Sequence, residues 1–198
     1  CINRKVYGVY EEKMNSDGIT PGYYENCNKM KNITPQRYVE ENRNIQGKDS
    51  FYENSEDEFS FSFGGYSGNF YLNEDGQWDV ISDHDIRVIF DESNGFLSVS
   101  QLRSNINTAG WSRKSLNQRF FNKFTLVTPD GCKYEFGGVN ATEYSIPYYA
   151  RDNCDLTATT WYLTRVTTPE GWSVDYIYEG SGPTCSINYV PSSRTLYN

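Results

Sequence analysis

The sequence predicts an all-β protein, built mostly from antiparallel hairpins in an extended or curved sheet, with at most one short helix. Apolar and polar residues alternate with a period of two in several short segments. Turn sequences that end in Gly separate these segments. Aromatic residues make up 16% of the chain and supply large side chains for a core, although the mean hydropathy is −0.72.

The clearest alternation is EFSFSFGG at 58–65, which places Phe59, Phe61 and Phe63 on one face. Four further segments each contain two strand-like stretches around a four-residue turn that ends in Gly, and two of these turns have Pro in second place. Such a pattern suits a type I turn followed by a G1 bulge. The four predicted hairpins cover residues 68–82, 85–99, 124–138 and 161–179.

The first part of the chain differs from the rest. Residues 1–57 predict an N-terminal strand followed by a polar irregular region, with a short helix that has Thr34 as N-cap and ends near Gly47. Residues 58–198 predict the hairpin sheet, with a linker and one more strand after residue 179. We interpret the whole as one structural unit cut from a longer chain, with Cys1 internal to that chain.

The charge balance disfavours several functions. With 18 basic and 26 acidic side chains the net charge is −8, which repels nucleic acid and anionic lipid. Apolar runs are too short for membrane insertion by this segment. One His and no CxxC spacing predict neither a metal site nor a cofactor.

Residues with catalytic chemistry each have a structural explanation. His84 lies in SDHD, which is typical of a polar connection between strands. Glu135 with Glu143, or Asp175 with Glu179, are the candidate glycosidase pairs, but they alternate with apolar residues as the outward face of strands does. The acidic run at 55–58 is interpreted as solvated, and no catalytic residue is predicted.

The five cysteines have irregular spacings. Cys132 follows a turn and shares a strand face with Tyr134 and Phe136, without a basic neighbour that would lower its pKa. It is expected to pack as a small apolar side chain. Whether Cys154 and Cys185 form a disulfide stays open.

Aromatic residues near the C-terminal hairpin are the candidate ligand-binding residues. If exposed, Trp161, Trp172 and Tyr176 would stack on sugar rings, as in a carbohydrate-binding module. If buried, they belong to the core or to a ladder between strands. The sequence leaves both alternatives open.

The order of these segments resembles a known family. DEFSFSFGGYSGNFYLNEDGQWDVIS, FTLVTPDGCKYEFGG, ATEYSI and TTWYLTRVTTPEGWSVDYIYE follow one another as in the region before the YD repeats of Rhs/YD-repeat proteins of Bacteroidetes-type bacteria, and CINRKVYGVYEE is similar to the family's I-x-R-x-V-x-G stretch. The similarity covers residues 1–12 and 58–179, with 13–57 and 100–120 variable.

The resemblance implies a non-catalytic scaffold role. Rhs proteins and the distantly similar toxin-complex B/C proteins wind sheets into a shell around a C-terminal effector. This segment would then be secreted or on the bacterial cell surface, with the remaining repeats and the effector of the same polypeptide as partners, and glycan as a further candidate. The chain has neither a run of YD repeats nor an effector. A carbohydrate-binding module and a glycosidase-like domain are the alternative functions.

Overall fold

The computed structural model describes residues 1–7, 22–43, 55–105, 114–115, 119–145, 153–154 and 157–179. These ranges contain fifteen β-strands, four short α-helices and one 3-10 turn. In chain order they are β1 (Ile2–Lys5), α1 (Tyr23–Met30), α2 (Pro35–Arg43), β2 (Glu58–Phe63), β3 (Tyr66–Leu72), β4 (Trp78–Ser82), β5 (Arg87–Ile89), α3 (Glu92–Gly95), β6 (Phe96–Ser98), α4 (Val99–Asn105), β7 (Lys114–Ser115), β8 (Arg119–Phe121), β9 (Lys123–Val127), β10 (Lys133–Gly137), the 3-10 turn (Val139–Ala141), β11 (Thr142–Ser145), β12 (Asn153–Cys154), β13 (Thr157–Trp161), β14 (Leu163–Thr167) and β15 (Ser173–Asp175).

The strands form two main antiparallel sheets, which confirms the predicted all-β class. The first sheet has six strands in the order β11-β13-β1-β2-β3-β4, and the second has five in the order β15-β14-β10-β9-β5. Two small pairs accompany them, β6 with β8 and the parallel pair β7 with β12. Since β1 lies between β13 and β2, the N-terminal strand is an interior part of the first sheet.

The two sheets pack face to face across an aromatic core. The alternation in β2 places Phe59, Phe61 and Phe63 inward, and all three are buried. Phe59 lies 5.4 Å from Phe124 of the second sheet, and Phe63 lies 5.2 Å from Phe136, both measured between ring centroids. Burial of each such side chain contributes about 1.5–3 kcal/mol. The predicted sheet is therefore realised as two packed layers.

The chain passes from the first sheet to the second within one residue. Trp161 ends β13 and Leu163 begins β14, with only Tyr162 between them. Trp161 is fully buried, and its indole N–H donates to the Phe121 carbonyl at 3.0 Å. Gly137 packs against this corner with φ of +92° and donates its amide to the Tyr162 carbonyl at 2.8 Å. A Cβ on Gly137 would lie 2.1 Å from the Asn122 carbonyl oxygen.

A buried ion pair fixes β1 in place. Arg4 points toward the core, and its side chain and that of Asp57 have no exposed surface. The Arg4 Nη2 and Nε atoms lie 2.5 and 2.9 Å from Asp57 Oδ2, and the Tyr7 amide donates to Oδ1 at 3.0 Å. The guanidinium also lies over the Phe59 and Phe121 rings, 5.4 Å from each centroid. The interpretation of residues 55–58 as a solvated acidic run is therefore wrong at Asp57.

Three of the four predicted hairpins form, and they share one turn geometry. Gly76, Gly131 and Gly171 have φ of +74°, +83° and +92°. In the second of these turns the Gly131 amide donates to the Thr128 carbonyl at 2.8 Å, and the Thr128 amide donates to the Cys132 carbonyl at 3.0 Å. The third turn repeats both bonds around Thr168. This is the predicted type I turn with a G1 bulge.

The predicted hairpin over 85–99 is wrong. Its turn residues form helix α3, with the Asp91 side chain accepting a hydrogen bond from the Ser93 amide at 3.0 Å. Strand β5 pairs with β9, while β6 pairs with β8, so the two halves lie in different sheets. Gly95 is buried against the Phe90 ring. A Cβ atom at this position would lie 2.6 Å from the nearest carbon atoms of that ring. The packing of Phe90 against Gly95 therefore outweighs the hairpin-turn preference of residues 92–95.

The described helices number four where at most one was predicted. Helix α2 begins at Pro35 as expected, since Thr34 Oγ1 accepts a hydrogen bond from the Arg37 amide at 3.3 Å. It ends at Arg43, and Gly47 lies outside the described residues. Helix α1 was missed, although Tyr23 and Cys27 are spaced by one helical turn and are buried beside Leu72. None of the described helices is long and apolar enough to cross a membrane.

Gly137→Ala should destabilise the protein by roughly 3–5 kcal/mol, because the left-handed backbone strain adds to the overlap with Asn122 and Trp161. Gly171→Ala is the matched control. Gly171 has the same φ of +92° with nothing within 4 Å, so the cost should be about 1–2 kcal/mol. Urea unfolding followed by Trp fluorescence measures both, and equal losses would contradict a packing role for Gly137.

Asp57→Asn should cost roughly 3–5 kcal/mol in unfolding free energy, because the buried Arg4 cation loses its counter-charge. Asp75→Asn is the control, since Asp75 and Lys31 form an exposed ion pair at 2.6 Å. The control should leave the urea midpoint unchanged within error. A small effect of Asp57→Asn would mean that water reaches the Arg4 guanidinium.

Candidate functional site

Strand β15 and the residues that flank it carry a cluster of exposed apolar side chains at the edge of the second sheet. Trp172, Val174 and Tyr176 are 78%, 57% and 45% exposed, and we call these three residues the edge patch. Ile177, which follows, is 92% exposed. Contiguous exposed apolar residues of this size are typical of interaction surfaces in soluble proteins.

The edge patch is an uncovered part of the core-facing side of the second sheet. One row of cross-strand partners runs from Leu126 through Tyr134 and Val166 to Val174. Leu126 is fully buried, Tyr134 and Val166 are half-buried, and Val174 is exposed. The second sheet therefore extends at β15 beyond the cover that the first sheet provides.

The β14–β15 hairpin positions the patch. The Thr168 amide donates to the Trp172 carbonyl at 2.8 Å, and the Tyr176 amide donates to the Thr164 carbonyl at 2.8 Å. Because alternate residues of a strand share one side, Trp172, Val174 and Tyr176 project from the same face. The tight turn that ends in Gly171 thus leads directly into the patch.

One edge of β15 faces away from β14. In the described part of the chain β15 pairs with β14 alone and is the terminal strand of its sheet. Val174 directs its amide and carbonyl toward β14, so those of Ser173 and Asp175 point away from the sheet. An open edge with apolar side chains beside it is a template for one more strand.

The opposite face of the same hairpin is polar. Arg165 and Asp175 are cross-strand partners, and Arg165 Nε lies 2.5 Å from Asp175 Oδ1. The hydrogen bond from Arg165 lowers the pKa of the Asp175 carboxyl. The side chains of both residues are about half exposed, so this pair belongs to the solvated face. The hairpin is thus two-sided, with an apolar inner face and a charged outer face.

The three candidate ligand-binding aromatic residues do not lie together. Trp161 is fully buried at the corner between the sheets, so its ring cannot stack on a sugar. Trp172 and Tyr176 are exposed, as the ligand hypothesis requires of them. Trp161 lies apart from Trp172 and Tyr176 because its strand, β13, belongs to the first sheet, whereas β15 belongs to the second.

The candidate glycosidase acids do not converge either. Glu143 is exposed and accepts a hydrogen bond from the Tyr162 hydroxyl. Asp175 is paired with Arg165, and Glu179 is exposed. Within the described ranges Asp57 is the one buried carboxylate, and it is neutralised by Arg4. Glu135 lies on the outer face of the second sheet, in the depression described next.

A shallow depression of about 270 Å³ lies on that outer face. Two lysines and two carboxylates line it, so its charge selects neither an anion nor a cation. The residues around it are Ile89, Asp91, Asn94, Lys123, Thr125, Lys133 and Glu135.

His84 is exposed, and hydrogen bonds of its backbone amide and carbonyl fix its position. Its amide donates to Ser82 Oγ at 3.3 Å, and its carbonyl accepts from the Ile86 amide at 2.9 Å. The ring contacts Tyr66 edge-on, with centroids 5.0 Å apart. Among the described residues no three His, Cys, Asp or Glu side chains are grouped as metal ligands would be.

Cys132 is half-buried directly after its turn. Partial removal of the thiol from water raises its pKa, and the adjacent Asp130 carboxylate adds to the rise. A raised pKa keeps the sulfur protonated and unreactive near neutral pH. The side chain of Cys154 and all of Cys185 lie outside the described residues, so their disulfide stays a prediction.

Comparison with known proteins gives no match to any family model, curated protein or solved structure.

Alkylation of Cys132 should be slower near neutral pH than that of the exposed Cys1, and should rise as the pH approaches the raised pKa. Asp130→Asn should accelerate it severalfold, because the nearby negative charge is lost while the amide oxygen can still accept the turn hydrogen bonds. Glu170→Gln, which removes a weaker negative influence, should accelerate it less. Iodoacetamide labelling with mass spectrometry measures the rates, and equal rates at Cys132 and Cys1 would contradict the pKa shift.

Proposed function

We propose that this chain is a non-catalytic structural segment of a large, secreted or cell-surface, Rhs-like bacterial protein. The observation that carries the proposal is the edge of β15, which pairs with no second strand in the described part of the chain, together with the exposed edge patch. The second sheet presents a row of core-type side chains where a further layer or strand would cover them. A scaffold built from continuous sheets requires such an edge.

The physical argument concerns the free energy of the uncovered side chains. Burial of a large apolar side chain contributes about 1.5–3 kcal/mol, and the edge patch offers three of them. Natural sheets usually protect a free edge with Lys, Pro or a bulge. The stretch WSVDYIYE at 172–179 contains neither Lys nor Pro. Continuation of the sheet is therefore favourable at this edge.

The partners in this proposal are the remaining repeats and the effector of the same polypeptide. The net charge of −8 disfavours nucleic acid as a partner. We propose no catalytic residue, and among the described acids the one buried carboxylate, Asp57, is held in an ion pair.

A carbohydrate-binding module is the second candidate. The observation in its favour is the exposure of Trp172 and Tyr176 on one side of a strand, where their rings are available to stack on sugars. Because such a module is an autonomous unit, its stability would not depend on the rest of a longer polypeptide.

Hydrogen exchange of this chain alone and within its complete gene product distinguishes the two functions. In a scaffold the second sheet continues, so amides of residues 163–179 should exchange at least tenfold more slowly in the complete product. Amides of the central strand β2 are the internal control and should change less, since β2 is paired on both sides already. Identical exchange of residues 163–179 in both proteins would contradict the scaffold and favour the autonomous module.

A further inference from the structure

We propose that the shallow depression of about 270 Å³ on the outer face of the second sheet binds a neutral sugar ring. We call this depression the outer depression. Alternate residues of a strand point to opposite faces, so it lies on the other side of the sheet from the edge patch. The inference therefore goes beyond the proposed function and leaves both the edge patch and the edge of β15 unoccupied.

Three paired strands form the floor of the outer depression. Thr125 of β9 lies between its cross-strand partners, Ile89 of β5 and Glu135 of β10. Lys123 and Lys133 precede Thr125 and Glu135 by two positions, so their side chains share the same face. Sites built on strands are held more precisely than sites built on loops. The groups of the floor are thus in place before a ligand binds.

Helix α3 supplies the rim of the outer depression. Its capping residue Asp91 accepts a hydrogen bond from the Ser93 amide at 3.0 Å, and the Asp91 carbonyl accepts one from the Gly95 amide at 2.6 Å. The Asn94 carbonyl accepts a hydrogen bond from the Asn122 side chain at 3.1 Å. These bonds fix the two rim residues that line the depression, Asp91 and Asn94. The rim exists because residues 92–95 form a helical turn instead of the predicted hairpin turn.

The charged groups of the floor do not neutralise one another. In the described part of the chain, the ammonium groups of Lys123 and Lys133 and the carboxylate of Glu135 take part in no ion pair. Arg165, the cross-strand partner of Glu135, instead contacts Asp175 at 2.5 and 3.1 Å. Opposite charges on neighbouring strands stabilise a sheet when they pair. Here the donors and acceptors of the floor are available to a ligand.

The mixture of these groups selects a neutral ligand with several hydroxyl groups. Two ammonium groups donate hydrogen bonds, two carboxylates accept them, and the side chains of Asn94 and Thr125 do both. An anion would meet two carboxylates in this site, and a cation would meet two ammonium groups. A hydroxyl group, in contrast, accepts from an ammonium group and donates to a carboxylate at the same time.

The arrangement of the charges disfavours a zwitterion such as a free amino acid. Such a ligand requires a positive end and a negative end in its site. Lys133 and Glu135 are instead neighbours on one face of the same strand, so positive and negative groups are interleaved. Interleaved donors and acceptors match the successive hydroxyl groups of a sugar.

The size and the apolar residue of the outer depression suit a single ring. Its volume lies below the range of about 300–1,000 Å³ that is typical of pockets for drug-sized ligands. Ile89 is 45% exposed and offers an apolar surface to the C–H groups of a sugar. Because the depression is shallow, a longer glycan can extend from it into solvent. The ligand is therefore one neutral sugar unit, either free or at the end of a glycan.

Titration of the 198-residue chain with neutral sugars tests the site. The probes are glucose, galactose, mannose and N-acetylglucosamine, each followed by NMR of the ¹⁵N-labelled protein. At least one should bind with a Kd on the order of 1 mM, since a ring of so few atoms gains little binding free energy. It should shift the amide signals of residues 123–125 and 133–135. No shift with any of these sugars overturns the proposal, as does tighter binding of glycine or of glucuronate.

Substitutions in the floor locate the bound sugar. Glu135→Ala and Lys123→Ala should each raise the Kd by about tenfold or more, because each removes a charged hydrogen-bonding partner. Arg87→Ala is the matched control, since Arg87 is an exposed cation on the same strand as Ile89 but does not line the depression. The control should leave the Kd unchanged within error. Equal effects of Lys123→Ala and Arg87→Ala overturn the proposal, because they indicate a general effect of charge.

Trp172→Ala separates this site from the carbohydrate-binding module, the second candidate function. It should leave the Kd unchanged, because Trp172 belongs to the edge patch on the opposite face. If Trp172→Ala abolishes sugar binding and Glu135→Ala does not, the outer depression is overturned in favour of the module. Neither result alters the hydrogen-exchange test of residues 163–179, so the scaffold proposal stands or fails separately.

Salt dependence supplies an independent measurement of the ligand class. The Kd of a neutral sugar should change by less than about twofold when NaCl is raised, because salt screens interactions between charges. A steep loss of affinity at high salt indicates an ionic contact and overturns the neutral class of ligand.

Discussion

The contact between Trp161 and Gly137 is the constraint on which the two-sheet structure depends. The chain changes sheets at Tyr162, so β13 and β14 must diverge within one residue while each keeps its own hydrogen-bonded neighbours. The buried indole fills the corner and satisfies its N–H on the Phe121 carbonyl. Only a residue without a Cβ lets the Asn122 carbonyl and the Trp161 ring approach Gly137 as closely as they do.

The burial of the apolar side chains between the two sheets differs along the second sheet. Where the sheets overlap, Phe59, Phe124 and Phe136 are fully buried, and β1 is secured at their margin by the Arg4–Asp57 pair. Along the second sheet the cover decreases from Leu126 to Val174 within one row of cross-strand partners. The same apolar face thus provides a closed core at one end and an exposed apolar patch at the other. The structural role that we propose follows from this gradient in burial.

The candidate site could be predicted from the sequence only in part. Aromatic residues at strand spacing identified the C-terminal hairpin as a candidate surface, and Trp172 and Tyr176 are indeed exposed there. The same pattern included Trp161, which is buried, because spacing along the chain does not reveal which sheet covers a strand. Asp57 was missed for a related reason. A carboxylate in an acidic run has no local signal of burial, and its partner Arg4 is distant in sequence.

The sequence by itself determined the local structure: the inward alternation of β2, the G1-bulge turns ending in Gly76, Gly131 and Gly171, and the start of helix α2 after Thr34. These features depend on neighbouring residues, whose backbone preferences and side-chain periodicity act over a few positions. Tertiary structure alone decided that residues 92–95 form a helical turn, that Trp161 is buried and Trp172 exposed, and that Asp57 pairs with Arg4. Burial is a property of surfaces brought together by distant segments, so it is settled only when the two sheets meet.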